Sequence, residues 1–250
     1  VLLGVAAAIV FAPHGSAQAH ARTVRIMSLG DSITDGYNVP GGYRVDLEDD
    51  LVAEGINFDF VGTLANGPAG LAHKNHEGHN GFEIGQVSSR IDVWLAASEP
   101  DVVLLMIGTN DVLHGYGLAT APDRLAALLD EIQAARPHAK VFVASIPPLS
   151  GSARGQQVRS YNSAIPDLVR SRASLGHSIA YIEIGGGLTT ADLVDGVHPS
   201  AAGYSKIAAL WDAALIPALA GTETHRCRVL RTSMATARWG ASRSPSCYAL

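Results

Sequence analysis

The chain has 250 residues, 47% hydrophobic and only 16% charged, enough for one sizeable core and too few for two comfortable ones. Its formal net charge of −5 is unevenly spread: residues 221–250 hold five Arg and one Glu, so residues 1–220 carry a net −9. An acidic body disfavours nucleic acid or an anionic membrane surface as the main partner and points to a neutral ligand.

Val1 to Phe11 is an uncharged apolar run, followed by Pro13, Gly15 and Ser16, then Ala17-Gln18-Ala19 and Ala19-His20-Ala21. This is the layout of a secretory signal peptide over residues 1–21 whose initiating Met and basic n-region are missing. The apolar run is too short to span a bilayer comfortably, so an exported protein without a stable membrane anchor is expected. Val24–Leu29 then reads as a strand, and Tyr43, Leu47 and Leu51 line a helix that Gly55 ends. Ile56–Val61 alternates like a second strand, Gly62–Asn80 reads as a long Gly- and His-rich loop, and Ile84, Val87, Ile91 and Leu95 share a helix face.

Val102–Ile107 and Val141–Ile146 are apolar throughout, as strands buried on both faces are. Between them Pro122 opens a helix with Leu125, Leu128, Leu129 and Ile132 on one face, closed at Arg136-Pro137. Val158, Tyr161, Ile165 and Leu168 form a helix in which Pro166 implies a kink or a break. Ile179–Ile184 is a fifth, alternating strand, and Tyr204, Ile207, Trp211 and Leu215 mark a last helix ending near Pro217. Strands alternating with helices give a doubly wound α/β domain over residues 22–220, three-layered α/β/α, with a five-stranded parallel sheet. The alternating second and fifth strands suit edges, which selects the flavodoxin-like order 2-1-3-4-5.

Four short blocks then fall beyond strand carboxyl ends, on the rim where such sheets bind ligands. They are Gly30-Asp31-Ser32, Gly78-His79-Asn80-Gly81, Gly108-Thr109-Asn110-Asp111 and Asp195-Gly196-Val197-His198-Pro199. Alone, Ser32 could be a helix N-cap, Asn110 an Asx-turn and Gly81 a loop glycine. Together they supply a serine nucleophile, a histidine base, an aspartate to orient it and donors for an oxyanion. Ser32, His198 and Asp195 are the candidate catalytic residues. The Ser32 and Gly81 N–H groups and the Asn110 amide are the candidate oxyanion hole. His76-Glu77-Gly78-His79 is not a zinc motif, because its second histidine comes one residue too early for helical ligand spacing. No metal or other cofactor is expected.

The blocks, in this order and spacing, resemble the SGNH (GDSL) hydrolase superfamily over nearly all of residues 24–220. That resemblance implies Ser32 as nucleophile, Gly81 and Asn110 as oxyanion donors, and Asp195 and His198 completing the triad, without metal. Gly41-Gly42-Tyr43-Arg44, Asp59-Phe60-Val61-Gly62-Thr63 and His76-Glu77-Gly78-His79-Asn80-Gly81 further resemble carbohydrate esterase family three, a branch that contains acetyl xylan esterases. A secreted, monomeric acetyl esterase acting on acetylated polysaccharide or small esters is the resulting expectation. A GDSL lipase or phospholipase is the alternative on the same fold, and a non-catalytic carbohydrate-binding protein the alternative from another class. The basic tail 221–250 reads as a linker, a disordered extension or a truncated module, and its Cys227 and Cys247 can pair in an oxidising compartment.

Overall fold

The computed structural model describes residues 22–235. The segment 1–21 expected to be a signal peptide, the chain beyond 235 and the expected Cys227–Cys247 pairing lie outside the described residues. In chain order the elements are β1 (Val24–Gly30), α1 (Ser32–Asp35), α2 (Arg44–Ala53), β2 (Phe58–Val61), β3 (Leu64–Ala65), β4 (Asn75–Gly78), α3 (Ile84–Ser88) and α4 (Ile91–Ser98). They continue with β5 (Val102–Met106), α5 (Thr109–His114), α6 (Ala121–Ala135), β6 (Lys140–Ala144), α7 (Ser152–Ser174), β7 (Ile179–Ile182) and α8 (Ala201–Ala235).

All five expected strands form and pair in parallel, in the order β2-β1-β5-β6-β7. Every residue of β5 is buried, as its unbroken apolar run requires when helices cover both faces. The helices fall into two groups: α2 packs on α8, while α3, α4 and α7 pack on α6. The α6 stripe Leu125, Leu128, Leu129 and Ile132 is wholly buried, and so are Leu47 and Leu51 of α2 with Ile207, Trp211 and Leu215 of α8. Each such side chain contributes about 1.5–3 kcal/mol of apolar burial.

The sheet has seven strands rather than five, because the segment expected to be a loop holds β3 and β4. β2 pairs with the first half of β1, and β4 takes over the same edge, with Leu29 opposite Glu77 and Gly30 opposite Gly78. β3 runs antiparallel to β4. The handover occurs at Gly62 (φ +156°), where a Cβ would lie 2.2 Å from the His76 carbonyl oxygen. Buried charges hold the rest of the segment. Arg44 donates to the Lys74 carbonyl (2.9 Å) and to Asn66 Oδ1, and Glu48 accepts from Ala72 N and His73 N at 2.6 and 2.9 Å.

Two prolines also lie inside helices. Of the kink or break expected at Pro166, the break does not occur: α7 runs from Ser152 to Ser174. Tyr161 and Ile165 before the proline and Val169 after it are all buried, and that packing offsets the roughly 3 kcal/mol an interior proline costs. α8 likewise passes through Pro217 and beyond Gly221 to Ala235, so the first part of the expected linker is helical.

Candidate active site

The nucleophile turn is dictated by close packing. Gly30 ends β1 where a Cβ would lie 2.2 Å from the Met106 carbonyl and 2.5 Å from Thr34 Oγ1, so a larger residue would push β1 away from β5. Asp31 caps α1 by accepting from Ile33 N at 2.9 Å, which sets Ser32 at the first position of that short helix. Ser32 is nearly buried, at 6% exposure. Its Oγ lies 2.9 Å from His198 Nε2.

The loop after β7 presents the histidine. His198 Nδ1 is 2.7 Å from Asp195 Oδ2, while Asp195 Oδ1 accepts from His198 N (2.8 Å) and Val197 N (3.0 Å). A carboxylate only accepts, so Nδ1 carries the hydrogen and Nε2 keeps a lone pair toward Ser32. Burial pushes the Asp195 pKa up, but the bonds from His198 and Val197, with the His198 charge, outweigh it and bring it down to about 2. Gly196 makes the reversal at φ +84°, where a Cβ would meet Ser150 at 2.8 Å, and its carbonyl accepts from Ser150 N at 2.9 Å. Beside the histidine stands Tyr37, 63% exposed, its ring centroid 5.0 Å from that of His198.

The candidate donors follow the carboxyl ends of β4 and β5. Gly108, at φ +120°, tops β5 against the Tyr161 ring, which a Cβ would approach to 2.6 Å. It launches α5 and buries Asn110, whose Nδ2 gives one hydrogen to the Phe82 carbonyl at 2.9 Å and, among the described residues, gives the other to no acceptor. His79 N bonds the Gly30 carbonyl (2.9 Å) and Phe82 N bonds the His79 carbonyl (3.1 Å), closing a turn with Gly81 at φ +77°. Among the described residues, the N–H groups of Ser32 and Gly81 are given to no protein acceptor. Ser32, His198 and Asp195 are thus joined by hydrogen bonds, while Gly81 and Asn110 follow β4 and β5, the strands that pair with β1. The arrangement can deliver a serine oxygen to a carbonyl carbon, remove its proton and receive the developing oxyanion.

Residues 28–206 match the model of the GDSL-like Lipase/Acylhydrolase family. The chain belongs to that family. This acylhydrolase is 34% identical over 219 residues to a multidomain esterase of Ruminococcus flavefaciens, a match covering 76% of the chain but only 28% of that protein's length. Among solved structures, a family 3 carbohydrate esterase of Clostridium thermocellum is 35% identical with a TM-score of 0.74, over 80% of this chain and 99% of that one. A carbohydrate esterase family 3 structure from Talaromyces cellulolyticus is 28% identical with a TM-score of 0.71, over 80% and 99%. The chain thus belongs to an esterase family, and it spans only 28% and 55% of the lengths of the two curated relatives that it matches.

Sequence reasoning missed the residues that hold the donors. In the acylhydrolase Asp111 is fully buried, accepting from Ile84 N (3.1 Å) and Arg124 (2.7 Å), and so ties the start of α3 to α5. Glu77, also fully buried, accepts from Thr63 N and Oγ1 at 2.7 Å and from the His79 ring at 2.6 Å. A charged residue beside a recognisable block was the only signal for either. His76 turns elsewhere: its Nδ1 accepts from Gly78 N at 3.1 Å, and burial, then the nearby Arg44 charge, lower its pKa to about 3. The two histidines of His-Glu-Gly-His thus have different partners, Gly78 N for His76 and Glu77 for His79, and among the described residues no group of three or more His, Cys, Asp or Glu could hold a metal ion.

Proposed function

We propose that this esterase is exported and removes acetyl groups from polysaccharide, acetylated xylan foremost, through an acyl-enzyme on Ser32. The observation that carries the reading is the line from Ser32 Oγ through His198 to Asp195, with both contacts under 3 Å. In this mechanism Ser32 Oγ attacks the acetyl carbonyl as His198 Nε2 takes its proton, and Asp195 steadies the imidazolium. The oxyanion rests on the Ser32 and Gly81 N–H groups and the free Asn110 hydrogen. His198 returns its proton to the departing sugar oxygen, the ester bond breaks, and the acetyl-enzyme remains. A water, deprotonated by the same histidine, attacks the acetyl-enzyme, and on collapse His198 hands that proton to Ser32 Oγ as the acyl bond breaks, freeing acetate and Ser32.

The leaving sugar must come within reach of His198, and the exposed Tyr37 ring stands there. An aromatic face beside the general acid suits the C–H face of a pyranose. The likeness to family 3 carbohydrate esterases and the signal-like residues 1–21 support the substrate class and the export.

The test is acetate release from acetylated xylan and acetylated pectin, beside an aryl-ester series from acetyl to about eight carbons. Xylan turnover with rates falling along the series supports the reading. Rates that rise with chain length, especially at a lipid interface, replace it with a lipase. Tyr37→Ala is expected to raise KM on acetylated xylan about tenfold, roughly the loss of one stacking contact, while leaving aryl acetate hydrolysis within twofold.

A further inference from the structure

His79 belongs to a motif that the chemistry above leaves unused, yet it is the most heavily engaged residue of its loop. Its ring stacks on Trp94 (centroids 4.3 Å apart, planes 12° apart) and on Phe82 (4.8 Å, 23°). The ring's Nε2 meets Glu77 Oε1 at 2.6 Å, and Glu77 is fully buried, its other bonds going to Thr63. Because that carboxylate only accepts, Nε2 is the donor and the ring has one permitted orientation. The backbone of the same residue bonds in both directions, N to the Gly30 carbonyl and O to Phe82 N. Phe82 in turn offers its carbonyl to Asn110 Nδ2.

One side chain therefore stands at the root of two donors. Rotating the His79 ring would move the turn that contains Gly81 and, through Phe82, the acceptor that aims the Asn110 amide. Oxyanion donors stabilise a transition state only when they are already aimed, and small displacements cost rate rather than substrate affinity. We propose that His79, locked by Glu77, is a positioning residue that sets the geometry of the oxyanion hole. The proposal rests on the reading of Gly81 and Asn110 as oxyanion donors. It gives Glu77 a catalytic consequence, although neither Glu77 nor His79 touches substrate.

The experiment compares wild type, His79→Phe, His79→Gln, Asn110→Ala and the His79→Phe/Asn110→Ala double variant. Each is measured for kcat and KM on a small aryl acetate, for affinity toward a boronic acid that mimics the tetrahedral intermediate, and for Tm. His79→Phe keeps a stacking ring and loses the donor. It is expected to lower kcat and boronate affinity together by about 10²-fold, with KM within twofold. His79→Gln restores an N–H at the Nε2 position and should recover most of that loss. In the Asn110→Ala background the His79→Phe effect should shrink, because both changes disable the same donor.

Unchanged kcat in His79→Phe, beside a strongly impaired Asn110→Ala, overturns the proposal and leaves the oxyanion assignment standing. A fall in kcat that His79→Gln does not rescue, accompanied by a lowered Tm in both variants, also overturns it, since His79 is then a packing residue. An unimpaired Asn110→Ala removes the premise instead.

Discussion

The loop carrying the base and the loop carrying Gly81 are secured by different kinds of contact. Asp195 to His198 is held largely by near neighbours: three Asp195 bonds reach no further than His198, Val194 N bonds the His198 carbonyl at 2.8 Å, and Leu193 bridges Pro199. The Asp195 side chain is 48% exposed. His76 to Phe82 is held from afar, by Thr63, Trp94, Asn110 and the end of β1, around a Glu77 that sees no solvent. The base must exchange protons with water and with a departing alcohol, so it belongs near the surface on a compact turn. The donors move no protons and act only by being aimed, which long-range buried contacts enforce.

Disabling the proton relay should produce the largest effect. Ser32→Ala and His198→Ala are each expected to lower kcat on an aryl acetate by about 10⁴-fold or more, with the double variant little worse, because nucleophile and base act as a unit. Tm should shift little, since the base loop keeps its backbone bonds. Near-normal turnover by either folded variant, or additive losses in the double, would break the proposed relay. The orienting carboxylate has a pH signature of its own. The folded Asp195 pKa of about 2 lies below the ordinary aspartate value of 3.8, so its contribution to stability is complete above about pH 4 and is lost as pH falls through 2. Acid inactivation that reverses on neutralisation down to about pH 3 therefore leaves the Asp195–His198 contact intact, which the His198 ring resonances in NMR would report.

The oxyanion side should show a smaller effect of a different kind. Asn110→Ala is expected to cost about 10²–10³ in kcat with KM nearly unchanged, as for loss of one preorganised donor. Its amide also holds the Phe82 carbonyl, so boronate affinity should fall in step with kcat. A variant that binds poorly yet turns over normally would make Asn110 a substrate-positioning group and remove the contrast between the two loops.

The same contrast explains what could be read from the residues alone. Asp195 and His198 announce themselves because an Asp three residues before a His is a local pattern with a chemical meaning. Strands β5 and β6 do so because consecutive apolar residues need burial on both faces. Asn75-His76-Glu77-Gly78 carries neither signal. It is a strand because β1 and β3 accept it as a partner, and Glu77 can be buried because Thr63 and His79 were brought to it by the fold. Glycines at Gly62 and Gly78 marked the segment as a loop, whereas each is required by close backbone approach, to His76 and to Asp35. The helix α8 misled for the opposite reason: Pro217 and Gly221 are ordinary stop signals, yet the helix runs through both, with Leu215 and Leu219 buried on either side of the proline.

Asp31 lies where the two regions meet, beside Ser32 and within the electrostatic reach of Thr109, Asp111 and His198, and it yields the smallest and most specific prediction. It is 1% exposed; one carboxyl oxygen caps Ile33 N while the other has no hydrogen bond among the described residues. Burial raises its pKa from 3.8 to about 6, against the opposing pull of the Ile33 N–H, Thr109 and His198. A carboxyl whose folded pKa is raised destabilises the fold when ionised. The cost is full above about pH 6 and vanishes below about pH 4, and a shift of this size corresponds to about 3 kcal/mol. Asn is an equally good cap without the charge. Asp31→Asn should therefore raise Tm at pH 8 and leave it unchanged at pH 4, as thermal melts across that range would register. It should also slow turnover, since the nearby anion favours the imidazolium that forms on His198 during catalysis. A Tm gain of equal size at both pH values would show that packing, not ionisation, sets the cost. Lost activity without any stability gain would place Asp31 with the rigid donors rather than with the proton relay.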